Sequence, residues 1–172
     1  MYIKDRNNVG IMGLLNYSFD DKYSVTATLR SDGSSVFAVG SKYATFKALG
    51  LGWVISNESF MNNISLIDRL KMRASYGENG NQAISRYQTL ARLASRNAVY
   101  GDGSGIVNGV FVNSLANNEL GWETTEVYNF GVEFAVLGSR LSGSIDYYTS
   151  TTGDLLLDRA IPRTSGQGSI LS

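Results

Sequence analysis

Apolar and polar residues alternate along most of this chain, and a period of two is the signature of β-strands. Six stretches carry it. In residues 11–19 one face holds Ile11, Gly13, Leu15, Tyr17 and Phe19. In residues 23–30, Tyr23, Val25, Ala27 and Leu29 alternate with Ser24, Thr26, Thr28 and Arg30. In residues 45–55, Leu49, Leu51, Trp53 and Ile55 oppose Ala48, Gly50, Gly52 and Val54. In residues 70–76, Leu70, Met72, Ala74 and Tyr76 oppose Lys71, Arg73 and Ser75. In residues 124–136, Tyr128, Phe130, Val132 and Phe134 oppose Asn129, Gly131, Glu133 and Ala135. In residues 141–149, Leu141, Gly143, Ile145 and Tyr147 oppose Ser142, Ser144, Asp146 and Tyr148. The pattern predicts an all-β, antiparallel fold of six strands.

The connections are unequal. Asp20-Asp21-Lys22 and Gly138-Ser139-Arg140 read as tight hairpin turns. The link over 56–69 is medium, with one helical turn expected over 57–62. The link over 30–43 holds Asp32-Gly33-Ser34-Ser35, which could contact ligand but reads rather as a turn in which the aspartate bonds local backbone and Gly33 takes a positive φ. Residues 77–121 read as one long loop rich in Gly, Asn and Ser; a loop of that length points to function or disorder. If the strands run up and down, both tight turns and the medium link fall on one side. The two longer links fall on the other. The tail, 151–172, has apolar patches at Leu155-Leu156-Leu157 and Ile161-Pro162 and completes no element. There is no internal repeat and no low-complexity tract.

The first-named faces contain no charged residue, whereas the opposite faces carry Arg30, Lys71, Arg73, Glu133 and Asp146. Two architectures fit this sorting. One is a soluble β-sandwich with a dry core. The other is the wall of a lipid-facing barrel. Three details favour the barrel. The strands approach the roughly 9–11 residues a membrane crossing needs. Tyr17, Phe19, Tyr23, Tyr76, Phe134 and Tyr147 lie at strand ends, as aromatic girdles do. Short turns on one side and long loops on the other are the outer-membrane arrangement.

Composition narrows the chemistry. The 172 residues include no His and no Cys, so thiol redox chemistry and a Ser–His–Asp triad cannot occur, and zinc lacks its usual ligands. Lys plus Arg number 15 and Asp plus Glu number 15; without a basic excess, nucleic acid is not an expected partner. The longest apolar run, residues 48–55, is far short of a membrane helix. The N-terminal MYIKDRNNVGIMG has no apolar core of a secretory signal. An outer-membrane reading therefore expects this chain to be part of something longer.

Ordered phrases add specificity. They are LRSDGSSVF at 29–37, LGWVISNE at 51–58, LKMRASYG at 70–77 followed by Gly80-Asn81-Gln82, LGWETTE at 120–126 and LSGSIDYY at 141–148. Asp154-Leu155-Leu156-Leu157 and Ile161-Pro162 complete the series. In this order and spacing, over about residues 11–168, the chain resembles the C-terminal barrel region of the SusC/RagA family of TonB-dependent outer-membrane transporters of Bacteroidetes. The resemblance implies an antiparallel up-and-down transmembrane β-barrel, of which this chain supplies about six strands of a presumed 22, with the plug domain absent. It implies an outer-membrane location, contact with lipid and the rest of the barrel and plug, a SusD-like lipoprotein lid and the TonB complex. It implies import of oligosaccharides or peptides. The alternative is a secreted or surface β-sandwich that binds carbohydrate.

Candidate motifs are modest. Lys71 and Arg73 on the polar face could meet plug carboxylates in a lumen. Trp122 could stack on a sugar, although girdle or packing roles suit it better. Gly101-Asp102-Gly103-Ser104-Gly105 lacks the lysine of a phosphate loop and reads as a flexible loop. Glu123 and Glu126 fall on opposite strand faces and cannot act as a carboxylate pair. Asn79, Asn81 and Asn108 could hydrogen-bond a ligand, and nothing ranks them. No catalytic, metal or cofactor constellation emerges, so the expectation is a non-enzyme without cofactors and with unknown substrate-binding residues.

Overall fold

The computed structural model describes residues 5–82, 84–85, 87–101, 103, 105–162, 164 and 169–171. Six long strands form one antiparallel sheet: β1 (Asn8–Phe19), β2 (Tyr23–Ser34), β3 (Tyr43–Val54), β4 (Ile67–Asn81), β7 (Glu123–Val136) and β8 (Leu141–Gly153). Their order is β1-β2-β3-β4-β7-β8, an up-and-down meander with β1 and β8 as unpaired edges. Between β4 and β7 a separate hairpin pairs β5 (Arg92–Tyr100) with β6 (Gly105–Ser114). A short pair, β9 (Asp158–Ala160) and β10 (Ser169–Leu171), follows the sheet.

All six predicted strands form, and register aligns their apolar faces. One row runs Tyr17, Val25, Leu51, Ala74, Phe130, Tyr147 across the sheet. The next runs Phe19, Tyr23, Trp53, Met72, Val132, Ile145. Because the side-chain period is two, a one-residue slip anywhere would break this face. The face is open: Leu51 is 48% exposed and Phe130 55%, although both lie on interior strands. Among the described residues no second sheet covers it.

The connections divide as the pattern predicts. Residues 20–22, 55–66 and 137–140 close one end, where Asp20, Asp21, Leu137 and Ser139 take positive φ. The expected helical turn is two 3-10 turns, Ile55–Asn57 and Ser59–Met61. Residues 35–42 and 82–122 lie at the opposite end, called here the mouth.

Three expectations are corrected. Asp32-Gly33-Ser34 is not a turn: β2 runs on through Ser34, and the positive φ of that connection is at Gly40. Gly33 is needed for a close approach instead. It faces Tyr43 across the ladder, and a Cβ there would sit 2.7 Å from Tyr43 Cδ1. Secondly, the stretch 77–121 is not one long loop. Its first residues extend β4 to Asn81, and it encloses the β5–β6 hairpin. Thirdly, the tail is not free of structure, since β9 and β10 pair. The glycine-rich motif at 101–105 is described only in part, because Asp102 and Ser104 lie outside the described residues. Gly101 and Gly103 have positive φ at the hairpin tip.

The buried core is small and lies at the mouth. Val36, Phe37 and Ile84 are buried together, with Trp122, Leu156 and Leu171 packed on them. The sheet itself buries little.

Candidate lumen wall and mouth

The polar face carries an ion-pair ladder across three strands. Arg73 on β4 reaches over β7 to Asp146 on β8, with Nη2 donating to Oδ1 at 2.7 Å and Oδ2 at 2.9 Å. Its Nη1 lies 3.4 Å from Glu133 Oε1, and Arg69 Nη2 lies 3.8 Å from Glu133 Oε2. The crossing depends on Gly131, which pairs with Arg73 on one side and Asp146 on the other. A Cβ at Gly131 would collide with Arg73 Nε and Asp146 Oδ1. Valine at this position therefore splits the bridge and costs about 1–3 kcal/mol, chiefly from overpacking. The ion pair itself is half-exposed and adds little. Comparing Gly131→Val with Arg73→Gln in denaturant unfolding separates the two terms: the glycine variant is the less stable.

This geometry alters the roles considered for Lys71 and Arg73. Both lie on the polar face, but Arg73 is committed to carboxylates of its own wall. Lys71 is in register with Glu133 yet makes no ion pair among those of the described residues.

Nearer the mouth the polar face opens into a cleft of about 550 Å³, lined by Asn8, Arg30, Asp32, Phe46, Asn79 and Asn81 among others. Its charges cancel locally. Arg30 Nε is 2.7 Å from Asp32 Oδ2, while the Lys47–Glu78 pair, 3.3 Å apart, lies on the opposite face of the sheet, level with Leu29. Among its uncharged side chains the amides of Asn8, Asn79, Asn81 and Gln82 suit hydrogen bonding to a neutral polar ligand. Asn79 and Asn81 thus share one surface. Asn108 does not join them; it pairs with Asn97 on the β5–β6 hairpin. Asn81 Nδ2 donates to Glu123 Oε1 at 2.9 Å, so Glu123 braces the cleft rim. Glu126 lies opposite Glu78, above the apolar rows and away from Glu123.

Trp122 takes the packing role. Its ring lies 5.1 Å from that of Phe37 and 5.8 Å from that of Phe46, and Nε1 donates to the Lys42 carbonyl at 3.4 Å. Phe46 and Arg30 are absent from the sequence candidates, and Asp32 is weighed there as a ligand contact but read as a turn residue. The available signal was the continuation of alternation through Gly33, which places Arg30 and Asp32 on one face.

At the closed end, Glu58 gathers the interfacial aromatics. Its Oε1 accepts from Tyr23 Oη at 2.5 Å and Trp53 Nε1 at 3.0 Å, and Lys22 Nζ lies 3.6 Å from Oε2. Tyr23 and Trp53 stack with centroids 6.4 Å apart. The bond from Tyr23, then that from Trp53, holds the Glu58 carboxyl below the usual range. Lys22 is raised, first by its bond to Asp20. Because the Glu58 value is lowered, its stabilisation is present above the ordinary carboxylate range near 4.3 and is lost as pH falls through the lowered value. An acid titration of Trp53 fluorescence should show this step, and Glu58→Gln should abolish it.

Comparison with known proteins places this geometry. Residues 2–170 match the family model described as TonB dependent receptor-like, beta-barrel. TonB-dependent receptor P3 of Formosa agariphila is 42% identical over 168 residues, covering 98% of this chain and 17% of that protein. TonB-dependent receptor SusC of Bacteroides thetaiotaomicron is 36% identical over 157 residues, covering 90% and 16%. The structure of the RagAB peptide transporter matches with a TM-score of 0.82 at 28% identity, covering 97% of this chain and 18% of that one. RagAB in its open-open state gives 0.83 at 29% identity, with the same two coverages. The chain therefore spans about a sixth of the length of its curated relatives. A carbohydrate-binding sandwich finds no support in the uncovered sheet or in these matches. The matched family is one of receptors and transporters rather than an enzyme class. On fold, register and sequence together, the chain belongs to the TonB-dependent receptor-like β-barrel family.

Proposed function

We propose that residues 1–172 form part of the barrel wall of a TonB-dependent importer in the outer membrane, the plug being supplied by another part of the polypeptide. One observation carries the reading: on one face a band of uncharged rows, from Leu49, Tyr76 and Tyr128 to Trp53, Met72 and Val132, continues in register through six strands and stays exposed on interior ones. Exposing such a band to water is costly, whereas lipid satisfies it. The polar face then lines the lumen, the closed end faces the periplasm, and the long connections face outward. The cargo is an oligosaccharide or peptide too large for porins, taken up with TonB-coupled energy. The SusC relative and the RagAB neighbours support a SusD-like lipoprotein partner at the mouth.

Fractionating cells that express the full-length protein carrying this segment tests the location. Recovery in the outer membrane, resistant to carbonate extraction, is the expected result. Recovery in a soluble fraction rejects the importer. Deleting the neighbouring lipoprotein gene should then abolish uptake of the cargo.

A further inference from the structure

The apolar face is not uniform. It contains a groove of about 600 Å³, walled by Val25, Leu51, Trp53, Met72, Phe130 and Tyr147 among others. The groove exists because Ala74 interrupts a row of large side chains: its register partners are Leu51 on one side and Phe130 on the other. The next row towards the mouth closes that side, where the rings of Tyr76 and Tyr128 lie 4.8 Å apart. At the opposite end Trp53 stacks on Tyr23, and both polar atoms turn to Glu58 at the rim. The depression is thus apolar along its length: Lys47 and Glu78 lie beyond the Tyr76–Tyr128 row, whereas at the closed end the lining Tyr23 and Trp53 bond directly to Glu58 and bring its charged neighbours to the groove.

Those end groups are of both signs. Lys22 Nζ lies 3.0 Å from Asp20 Oδ2 and 3.6 Å from Glu58 Oε2. A headgroup meeting them must complement an ammonium and carboxylates within one short reach. A zwitterionic aminoethyl phosphate does so, with its phosphate towards Lys22 and its ammonium towards Glu58 and Asp20. A purely anionic headgroup meets two carboxylates for one cation. We propose that this groove seats one acyl chain of a zwitterionic phospholipid of the periplasmic leaflet, held as a specific lipid rather than as bulk solvent. The proposal rests on the outer-membrane reading above. The groove is continuous with the lipid-facing band, so the occupant reaches it without crossing a polar surface.

Native mass spectrometry of the full-length transporter, released from the outer membrane in mild detergent, tests this. The expected result is a retained phosphatidylethanolamine adduct. Ala74→Leu fills the groove and should lower adduct occupancy several-fold. Val25→Phe narrows the same groove from another strand and should act likewise, so the test survives if either variant folds poorly. Ala74→Gly keeps the groove open and should retain the adduct. Glu58→Gln should weaken the preference for phosphatidylethanolamine over phosphatidylglycerol. Three outcomes overturn the proposal: no adduct on a protein recovered in the outer membrane, an adduct unchanged by both filling variants, or lipopolysaccharide or phosphatidylglycerol held equally well. Recovery in a soluble fraction would instead remove the importer reading itself, so the two failures are distinguishable.

Discussion

Arginine in place of Leu51 should destabilise the full-length barrel in lipid vesicles by about 2–4 kcal/mol. Leu51 lies mid-strand in β3, in the middle of the apolar rows, which the proposed membrane wall puts at the centre of the hydrocarbon layer. A guanidinium there must snorkel or draw water inward, because nothing beside it on that face accepts a proton. Leu29 shares this face but lies opposite Lys47, in the row where charge begins. At that depth the same substitution should cost only about 0–1 kcal/mol. Ser75, on the polar face opposite Gly50, should tolerate arginine within about 0.5 kcal/mol. Reversible denaturant unfolding from vesicles measures all three. The graded order, largest at Leu51 and smallest at Ser75, is the result a membrane wall requires. Equal costs at Leu51 and Leu29 would contradict it, since only a bilayer makes depth matter.

The contrast between the two faces could be drawn from the sequence, because period two assigns faces without knowing which strand pairs with which; the depth of Leu29 needs the β2–β3 register. Tyr23, Val25, Leu51, Trp53, Met72 and Phe130 sorted correctly on that basis alone. The tight turns were legible for a similar local reason: Asp20 and Asp21 tolerate positive φ, and both adopt it. What escaped the pattern was non-local. Gly33 looked like a turn residue because its partner Tyr43 is distant in sequence, and only the paired ladder shows the ring lying over it. Gly131 looked like mere dilution of a polar face. Its reason is a bridge between Arg73 and Asp146, which no sequence window contains. The β5–β6 hairpin was missed because neither of its faces is clean: Leu93 and Val99 share one with Ser95 and Asn97, which blunts the alternation. The cleft at the mouth shares this difficulty. Asn79 and Asn81 were recognisable as hydrogen-bonding groups, but Arg30, Asp32 and Phe46 come from other strands, and their meeting depends on where β2 and β3 end.

Removing the ring of Phe37 should have the second large effect, and it should be local. Phe37 is 2% exposed and stands at the centre of the only multi-residue buried cluster among the described residues. Truncating a buried aromatic to alanine costs about 3–5 kcal/mol where the surroundings cannot collapse. Here the surroundings are three chain segments: the 35–42 connection through Val36, the 82–122 connection through Ile84 and Trp122, and the tail through Leu156 and Leu171. At these positions the tie to the six-stranded ladder is slight: the Leu156 N–H donates to Glu123 Oε2 at 3.3 Å. Phe37→Ala should therefore release the mouth segments together and leave the wall intact. Trp122→Phe is the graded comparison. It keeps an aromatic ring near Phe37 and Phe46 but loses the bond to the Lys42 carbonyl, worth about 0.5–1.5 kcal/mol. Hydrogen exchange on the full-length protein reads the difference. In Phe37→Ala, protection should fall in residues 35–42 and near Ile84 and Leu156, while β2, β3, β4 and β7 stay as protected as before. A fall spread evenly through the strands would mean that the mouth cluster stabilises the wall itself. The sheet would then depend on its loops, contrary to a ladder already fixed by register.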